Sequence, residues 1–306
     1  MNKTVLITGA YGFIGRYVAL EYSKQGYYVI GVGHSSWDGD EYIKWGIKEF
    51  YNIDINIDNL KKIKSKINII VHCAGGASVS FSFKKPIEDF KKTVNTTINV
   101  LEFIKQHSHN TKFIYLSSAA VYGENHLKYL DEETILNPIS PYGFHKKIAE
   151  EICQNYARQY SMNIIILRLF SVYGEELRKQ LLWDACNKVE SNQNIFLGTG
   201  DEIRDWLHVK DVARYICVAA NYIDTNCNIY NVGSGKGETV RNILKILFSF
   251  FNLEEEPMFN NIIDKGNPNQ YIANIEKIKN WHVHNHIEIK KGIENYVKWY
   301  KRKTNN

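Results

Sequence analysis

Thr4-Val5-Leu6-Ile7-Thr8-Gly9-Ala10-Tyr11-Gly12-Phe13-Ile14-Gly15 decides the fold. A short β-branched apolar run passes directly into three glycines and then into the helical pattern Ile14 to Gln25. Glycine is needed where the chain turns sharply, where backbone approaches a pyrophosphate, and where helix and strand pack closely. The helix N-terminus adds unpaired N–H groups and a favourable dipole. Gly9, Gly12, Phe13, Ile14 and Gly15 are thus candidates to hold the phosphates of a dinucleotide, with a purely structural turn as the other reading.

The rhythm continues outward from this turn. Tyr27 to Val32, Ile67 to Cys73, Lys112 to Ser117 and Asn163 to Arg168 are short runs apolar on both faces, the pattern of buried parallel strands. The helical patterns Ile87 to Gln106 and Tyr142 to Tyr160 lie between later strands. This alternation predicts an α/β fold, a doubly wound parallel sheet of the Rossmann type with ligands at the carboxyl ends of its strands. After about residue 170, helices at Gln180 to Ser191 and Val209 to Tyr222 are separated by single strands, Ile203 to Leu207 and Asn228 to Val232. Residues 1–170 read as a dinucleotide-binding domain and 171–306 as a smaller α/β substrate lobe, with a strand able to return to the first domain.

Composition narrows the classes. The 306 residues are 44% hydrophobic and 23% charged, which excludes a disordered or low-complexity chain. The net charge of +5 is spread out, and its one dense stretch, Lys298 to Lys303, fits a helix C-terminus better than a nucleic-acid grip. No apolar run approaches the roughly 20 residues of a membrane helix. Met1-Asn2-Lys3 leads straight into the first strand without the features of a signal peptide. Five scattered cysteines without a CxxC pair suggest reduced thiols, a cytoplasmic location, and neither disulfide framework nor metal site.

At the end of the second strand, where an acidic residue usually binds the ribose of NAD, the chain has Gly33-His34-Ser35-Ser36. His34, Ser35 and Ser36 can hydrogen-bond a ribose phosphate, which slightly favours NADP, while a plain loop with NAD held elsewhere stays open. Asp54, just after the third strand, either reaches the adenine or is a solvated loop residue. The chemical core is Ser117-Ser118 with Tyr142-Gly143-Phe144-His145-Lys146. Pro141 opens a helix, so Tyr142 and Lys146, four apart, share one face. An ammonium beside a phenol is expected to lower the phenol's pKa and make Tyr142 a usable acid/base. Ser118, at a strand's carboxyl end, can bind the same substrate oxygen.

The chain resembles the extended short-chain dehydrogenase/reductases, specifically the sugar-nucleotide epimerases, dehydratases and reductases. Besides the motifs above, the resemblance rests on His72-Cys73-Ala74-Gly75, Ser117 to Gly123, Leu167 to Gly174, Arg204 to Val212 and Tyr230 to Gly235, and spans essentially the whole chain. It implies that Ala74 and Gly75 pass beneath the cofactor ribose, that Lys146 binds the nicotinamide ribose, and that Ser118, Tyr142 and Lys146 are catalytic. It also implies that Ser78, Ser118, Ser171 and Arg204 contact a nucleotide-sugar substrate, with Arg204 on its pyrophosphate; an ion pair with Asp205 is the alternative for that arginine. Helices Ile87 to Gln106 and Tyr142 to Tyr160 resemble those of the family's dimer interface, so a homodimer is expected.

Departures from the family pattern bear on the reaction. Ala119 and Ala120 stand where 4,6-dehydratases have an Asp and a Glu, which argues against dehydration. Ser171 replaces an Asn, and Asp264-Lys265-Gly266-Asn267 replaces Arg-Pro-Gly-Asp, both at substrate contacts of the galactose-type epimerases. The expected activity is an NAD(P)-dependent reduction at carbon 4 of a dTDP-4-keto-6-deoxyhexose, giving a dTDP-fucose type product for surface polysaccharide. An NAD-dependent 4-epimerase is the alternative, and a catalytically silent NADP sensor a third reading that the intact Ser118, Tyr142 and Lys146 oppose.

Overall fold

Gly31, in the second strand, lies so close to the first helix's approach that a Cβ there would stand 2.9 Å from the Ala10 side chain. Close approach of this kind sets the architecture of the computed structural model, which describes residues 3–34, 37–76, 78–108, 110–262, 266 and 268–304. The elements follow in order: β1 (Thr4–Thr8), α1 (Phe13–Lys24), β2 (Tyr28–Gly33), β3 (Glu49–Asn52), α2 (Ile57–Leu60), β4 (Ile69–His72), α3 (Val79–Lys84), α4 (Pro86–Phe90), α5 (Thr96–His107), β5 (Lys112–Ser118), α6 (Pro141–Tyr160) and β6 (Ile164–Leu169). Then come β7 (Ser171–Tyr173), α7 (Gln180–Glu190), β8 (Ile195–Phe196), β9 (Ile203–His208), α8 (Val209–Ala219), β10 (Asn228–Val232), β11 (Gly237–Thr239), α9 (Val240–Ser249), β12 (Met258–Phe259), β13 (Gln270–Tyr271) and α10 (Ile289–Thr304).

Seven strands form one sheet in the order β10-β6-β5-β4-β1-β2-β3, every pair parallel. The order reverses between β1 and β4, which opens a crevice at their carboxyl ends. Side chains alternate across the sheet: Val5 and Ile7 pack with α1 and α8, and Leu6 packs toward α5 and α6. A second sheet joins β11, β9 and β13, with β7 also paired to β9. Its lobe has its own core of Leu182, Ile243, Leu247, Phe248, Tyr296 and Tyr300. The strand Asn228–Val232 belongs to the large sheet, paired in parallel with β6. No helix among the described residues is long and apolar enough to cross a membrane.

The expected helix Ile87 to Gln106 is present as continuous helical backbone from Pro86 to His107 with one irregular turn. Lys91–Asn95 form a π-helical turn between α4 and α5. Hydrophobic spacing does not reveal this π-helical turn, which places Thr93 Oγ1 within 2.9 Å of the Gly76 N–H it accepts from.

Behind the active edge, α6 is fixed to β6 by a buried ion pair. Arg168 and Glu150 are each 2% exposed. Arg168 donates from Nη2 to Glu150 Oε2 at 2.8 Å and from Nε to Oε1 at 3.0 Å. Its Nη1 donates to the Tyr122 hydroxyl and the Glu132 carbonyl, both at 3.0 Å. Removing one charge strands the other in a dry core, at a cost of about 3–5 kcal/mol. Glu150→Gln is therefore expected to destabilise the chain by about that amount, read as a lowered urea midpoint with little change in slope.

Candidate active site

The first end of the site is backbone. Gly9 adopts φ +66°, and a Cβ there would lie 2.8 Å from the Ala74 nitrogen, so only glycine fits between β1 and β4. A Cβ on Gly15 would stand 2.3 Å from the Gly9 carbonyl oxygen, which lets α1 start tight against the strand. Gly12 caps α1 without a side-chain hydrogen bond, and the first turn carries no acid. The cradle thus presents helix N–H groups beside a space kept free of side chains, and it fits a dinucleotide pyrophosphate.

The other end is built on α6. Ser140 caps it, its Oγ accepting from Gly143 N at 3.1 Å, and Pro141 follows as the first helical residue. Ser82 of α3 accepts from Tyr142 N at 3.0 Å, which fixes the helix start from outside. Ser118 ends β5, accepts from Ala120 N at 3.2 Å, and lines the same cavity as Tyr142. Lys146, 6% exposed, donates to the Leu116 carbonyl at 2.7 Å, with its Nζ 6.0 Å from the centre of the Tyr142 ring.

The electrostatics correct one expectation. The Tyr142 phenol is held above its ordinary pKa: burial raises it, the nearby Ser118 hydroxyl opposes this, and the Asp89 carboxylate raises it further. The lowering expected from Lys146 is not found, because desolvation of the phenol dominates. Burial acts on Lys146 too, whose pKa is pushed down to about 8 against the pull of Asp89.

One cavity of about 1690 Å³ joins both ends. It is lined by Gly9, Gly12, Phe13, Ile14, Gly15, His34, Asp54, Ala74, Gly75 and Lys146 on the nucleotide side, and by Ser78, Ser118, Tyr142, Ser171 and Arg204 beyond. Ser35, Ser36, Asp264, Lys265 and Asn267 lie outside the described residues. His34 Nδ1 and Asp54 Oδ1 face each other at 3.8 Å, both well exposed. Arg204 lies over the Tyr271 ring at 5.7 Å and donates to the Ile203 and Asn269 carbonyls. Its neighbour Asp205 is fully buried and accepts from Ser234 N, Ser234 Oγ, Gly235 N and Ala273 N, so its carboxylate is engaged in holding the loop after β10.

Several lining residues escaped the sequence reading. Lys179 and Asp184, around the start of α7, line the same cavity with solvent-exposed side chains. Arg16 ion-pairs with Glu176 at 3.0 Å and lies 5.2–5.3 Å from the ring centres of Tyr11, Trp37 and Trp45. No spacing in the sequence marks these residues, because their partners are brought together from distant segments.

The profile of the NAD dependent epimerase/dehydratase family matches residues 5–233. The chain is 30% identical over 304 residues to a Methanocaldococcus jannaschii protein named "Putative UDP-glucose 4-epimerase", spanning 97% of this chain and 98% of the other. It is 28% identical over 340 residues to CDP-paratose 2-epimerase of Salmonella typhi, at 96% and 98% coverage. Its structure superimposes on that of UDP-glucose 4-epimerase from Thermotoga maritima, solved with UDP-glucose, with a TM-score of 0.88, 26% identity, and 98% and 99% of the two chains covered. With the glycine cradle, the strand-end serine and the Tyr142–Lys146 face all on one cavity, the chain belongs to the NAD-dependent epimerase/dehydratase family.

Proposed function

We propose that this protein is an NAD-dependent 4-epimerase of a nucleoside-diphosphate sugar. The observation that carries the reading is that Ser118, Tyr142 and Lys146 line one cavity running from the glycine cradle to Arg204. Gly9, Gly12 and Gly15, with the backbone of Phe13 and Ile14, would hold the cofactor's pyrophosphate, Ala74 and Gly75 its ribose, and Asp54 its adenosine end. NAD, when bound, supplies the hydride acceptor and donor. Tyr142 takes the proton from the sugar's 4-hydroxyl and returns it, Ser118 holds the same oxygen, and the Lys146 ammonium steadies the phenolate. Ser78 and Ser171 bind the sugar, and Arg204 places a guanidinium for the substrate's diphosphate.

A 4-ketoreductase acting on a dTDP-4-keto-6-deoxyhexose would use the same three catalytic residues. The epimerase reading is preferred because full-length relatives, including one named for carbon-4 epimerisation of UDP-glucose and solved with that substrate, are epimerases. Cofactor choice is inferred in the same direction. The missing carboxylate after β2 favours NADP, but Asp54 brings one to the same end of the cavity beside His34, where it would repel a ribose phosphate. A homodimer through α5 and α6 is also inferred, supported by the exposed apolar side chains of Phe83, Ile87, Phe90 and Phe144 around those helices.

With NAD, the protein is expected to interconvert UDP-glucose and UDP-galactose, or another nucleotide hexose and its 4-epimer, without net change in nicotinamide absorbance. Stoichiometric consumption of reduced cofactor on a 4-keto sugar, with no interconversion, would favour the reductase instead. Tyr142→Phe is expected to keep its circular dichroism and NAD affinity while losing at least ~100-fold in turnover. Asp54→Ser is expected to improve NADP binding relative to NAD, read by calorimetric titration of both forms.

A further inference from the structure

Asp89 is fully buried where α4 meets α6. Its Oδ2 accepts a hydrogen bond from His145 Nδ1 at 2.6 Å, on the helix that carries Tyr142 and Lys146. Its Oδ1 has no hydrogen-bond partner among the described residues. That oxygen presses against Gly76, where a Cβ would lie 2.0 Å from it. Lys146 Nζ lies beside the neighbouring Gly75, 3.4 Å from where a Cβ would be. Thr93 Oγ1 stands between, 3.1 Å from the one Cβ position and 3.8 Å from the other. Carboxylate and ammonium therefore flank a single dipeptide of the cavity floor.

A buried carboxylate oxygen without a donor is costly, and shape alone would be met by an amide or an alcohol. The charge has a use in its surroundings. The groups facing Lys146 are Tyr142, Glu150 and Cys153 on α6, Tyr115 on β5, His72 on β4 and Cys73 after it, and Asp89 on α4; burial pushes the His72 imidazole down to about 3 and so holds it neutral. Burial raises both thiols, Cys73 to about 12 and Cys153 well above its ordinary value, so neither supplies an anion at neutral pH. Glu150 is engaged by Arg168. The nearby charged residues of the α4 segment, Lys84, Lys85, Glu88, Lys91 and Lys92, are exposed to solvent. His145 needs no charge to donate its hydrogen bond.

We propose that Asp89, held by His145, is the counter-charge that keeps Lys146 cationic in a dry site, and so is a positioning residue that acts on Tyr142 through Lys146. Its effect on turnover rests on the epimerase reading, whereas its effect on Lys146 does not. Burial alone drives the Lys146 ammonium toward neutrality, and Asp89 is the strongest influence opposing it. The same carboxylate raises the Tyr142 phenol. Removing it shifts both groups to lower pH together.

The test uses the full cofactor-free chain labelled with [ε-13C]lysine, the Lys146 signal being assigned by its loss in Lys146→Arg. The Lys146 midpoint is expected near 8 in the native chain. It should fall by ~1 unit in Asp89→Asn, which keeps the shape and can still accept from His145. Both limbs of the kcat/KM profile for epimerisation should then move to lower pH, whereas loss of a merely structural contact would lower the profile without moving it. An unmoved Lys146 midpoint in a folded Asp89→Asn chain overturns the proposal. If that variant does not fold, Asp89→Thr replaces it, and in either case a native Lys146 midpoint below ~7 overturns the proposal. A shifted midpoint in a chain that epimerises no nucleotide sugar supports the role of Asp89 and counts against the proposed reaction.

Discussion

The backbones of Gly9 and Ala74 meet at the carboxyl edge of the sheet with too little room for any side chain between them. Most of the site follows from that approach. It brings β1 beside β4 at the point where strand order reverses, and leaves the start of α1 facing the crevice. Because the sheet is parallel throughout, the ends of β2, β4, β5 and β6 open on the same side, so His34, Gly75, Ser118 and Ser171 reach one cavity from segments far apart in sequence. A side chain at Gly9 or Gly15 would wedge these elements apart, and the cavity would lose its floor.

Around this frame the molecule places several charges out of water. Each is tolerated because of a specific partner: Glu150 for Arg168, and the backbone donors of the Ser234 loop and Ala273 for Asp205. The Arg168 network ties α6 to β6, to Tyr122 and, through Tyr122 and Asn231, to β10. It thereby fixes the helix carrying Tyr142 and Lys146 to the sheet that carries Ser118. Stability and chemistry are linked here, since α6 cannot shift without stranding a buried arginine.

The second lobe closes the far side of the cavity in a way that spacing along the chain does not reveal. β9 pairs with β7, β11 and β13 at once, so Arg204 and Tyr271 come together although 67 positions separate them. The lobe is joined to the large sheet through β10, which runs beside β6. The cavity wall is thus made by strands whose pairing is decided by the whole lobe.

The sequence by itself determined the local devices: the glycine turn into α1, the five buried strand patterns, the Ser140-Pro141 helix start, and a tyrosine and lysine four apart on one face. These are readable because each depends on the backbone preferences of neighbouring residues or on a fixed helical or strand repeat. Only the tertiary structure decided that the helix after Pro86 widens into a π-helical turn at Lys91–Asn95, that Asp89 and His145 meet behind Gly76, and that Asp54 rather than a β2 residue brings a carboxylate to His34. It also decided that the phenol of Tyr142 is raised when the neighbouring ammonium alone would lower it. The physical reason is that burial and electric field are sums over everything packed around a group, and most of what surrounds Tyr142 and Lys146 comes from elements distant in the chain.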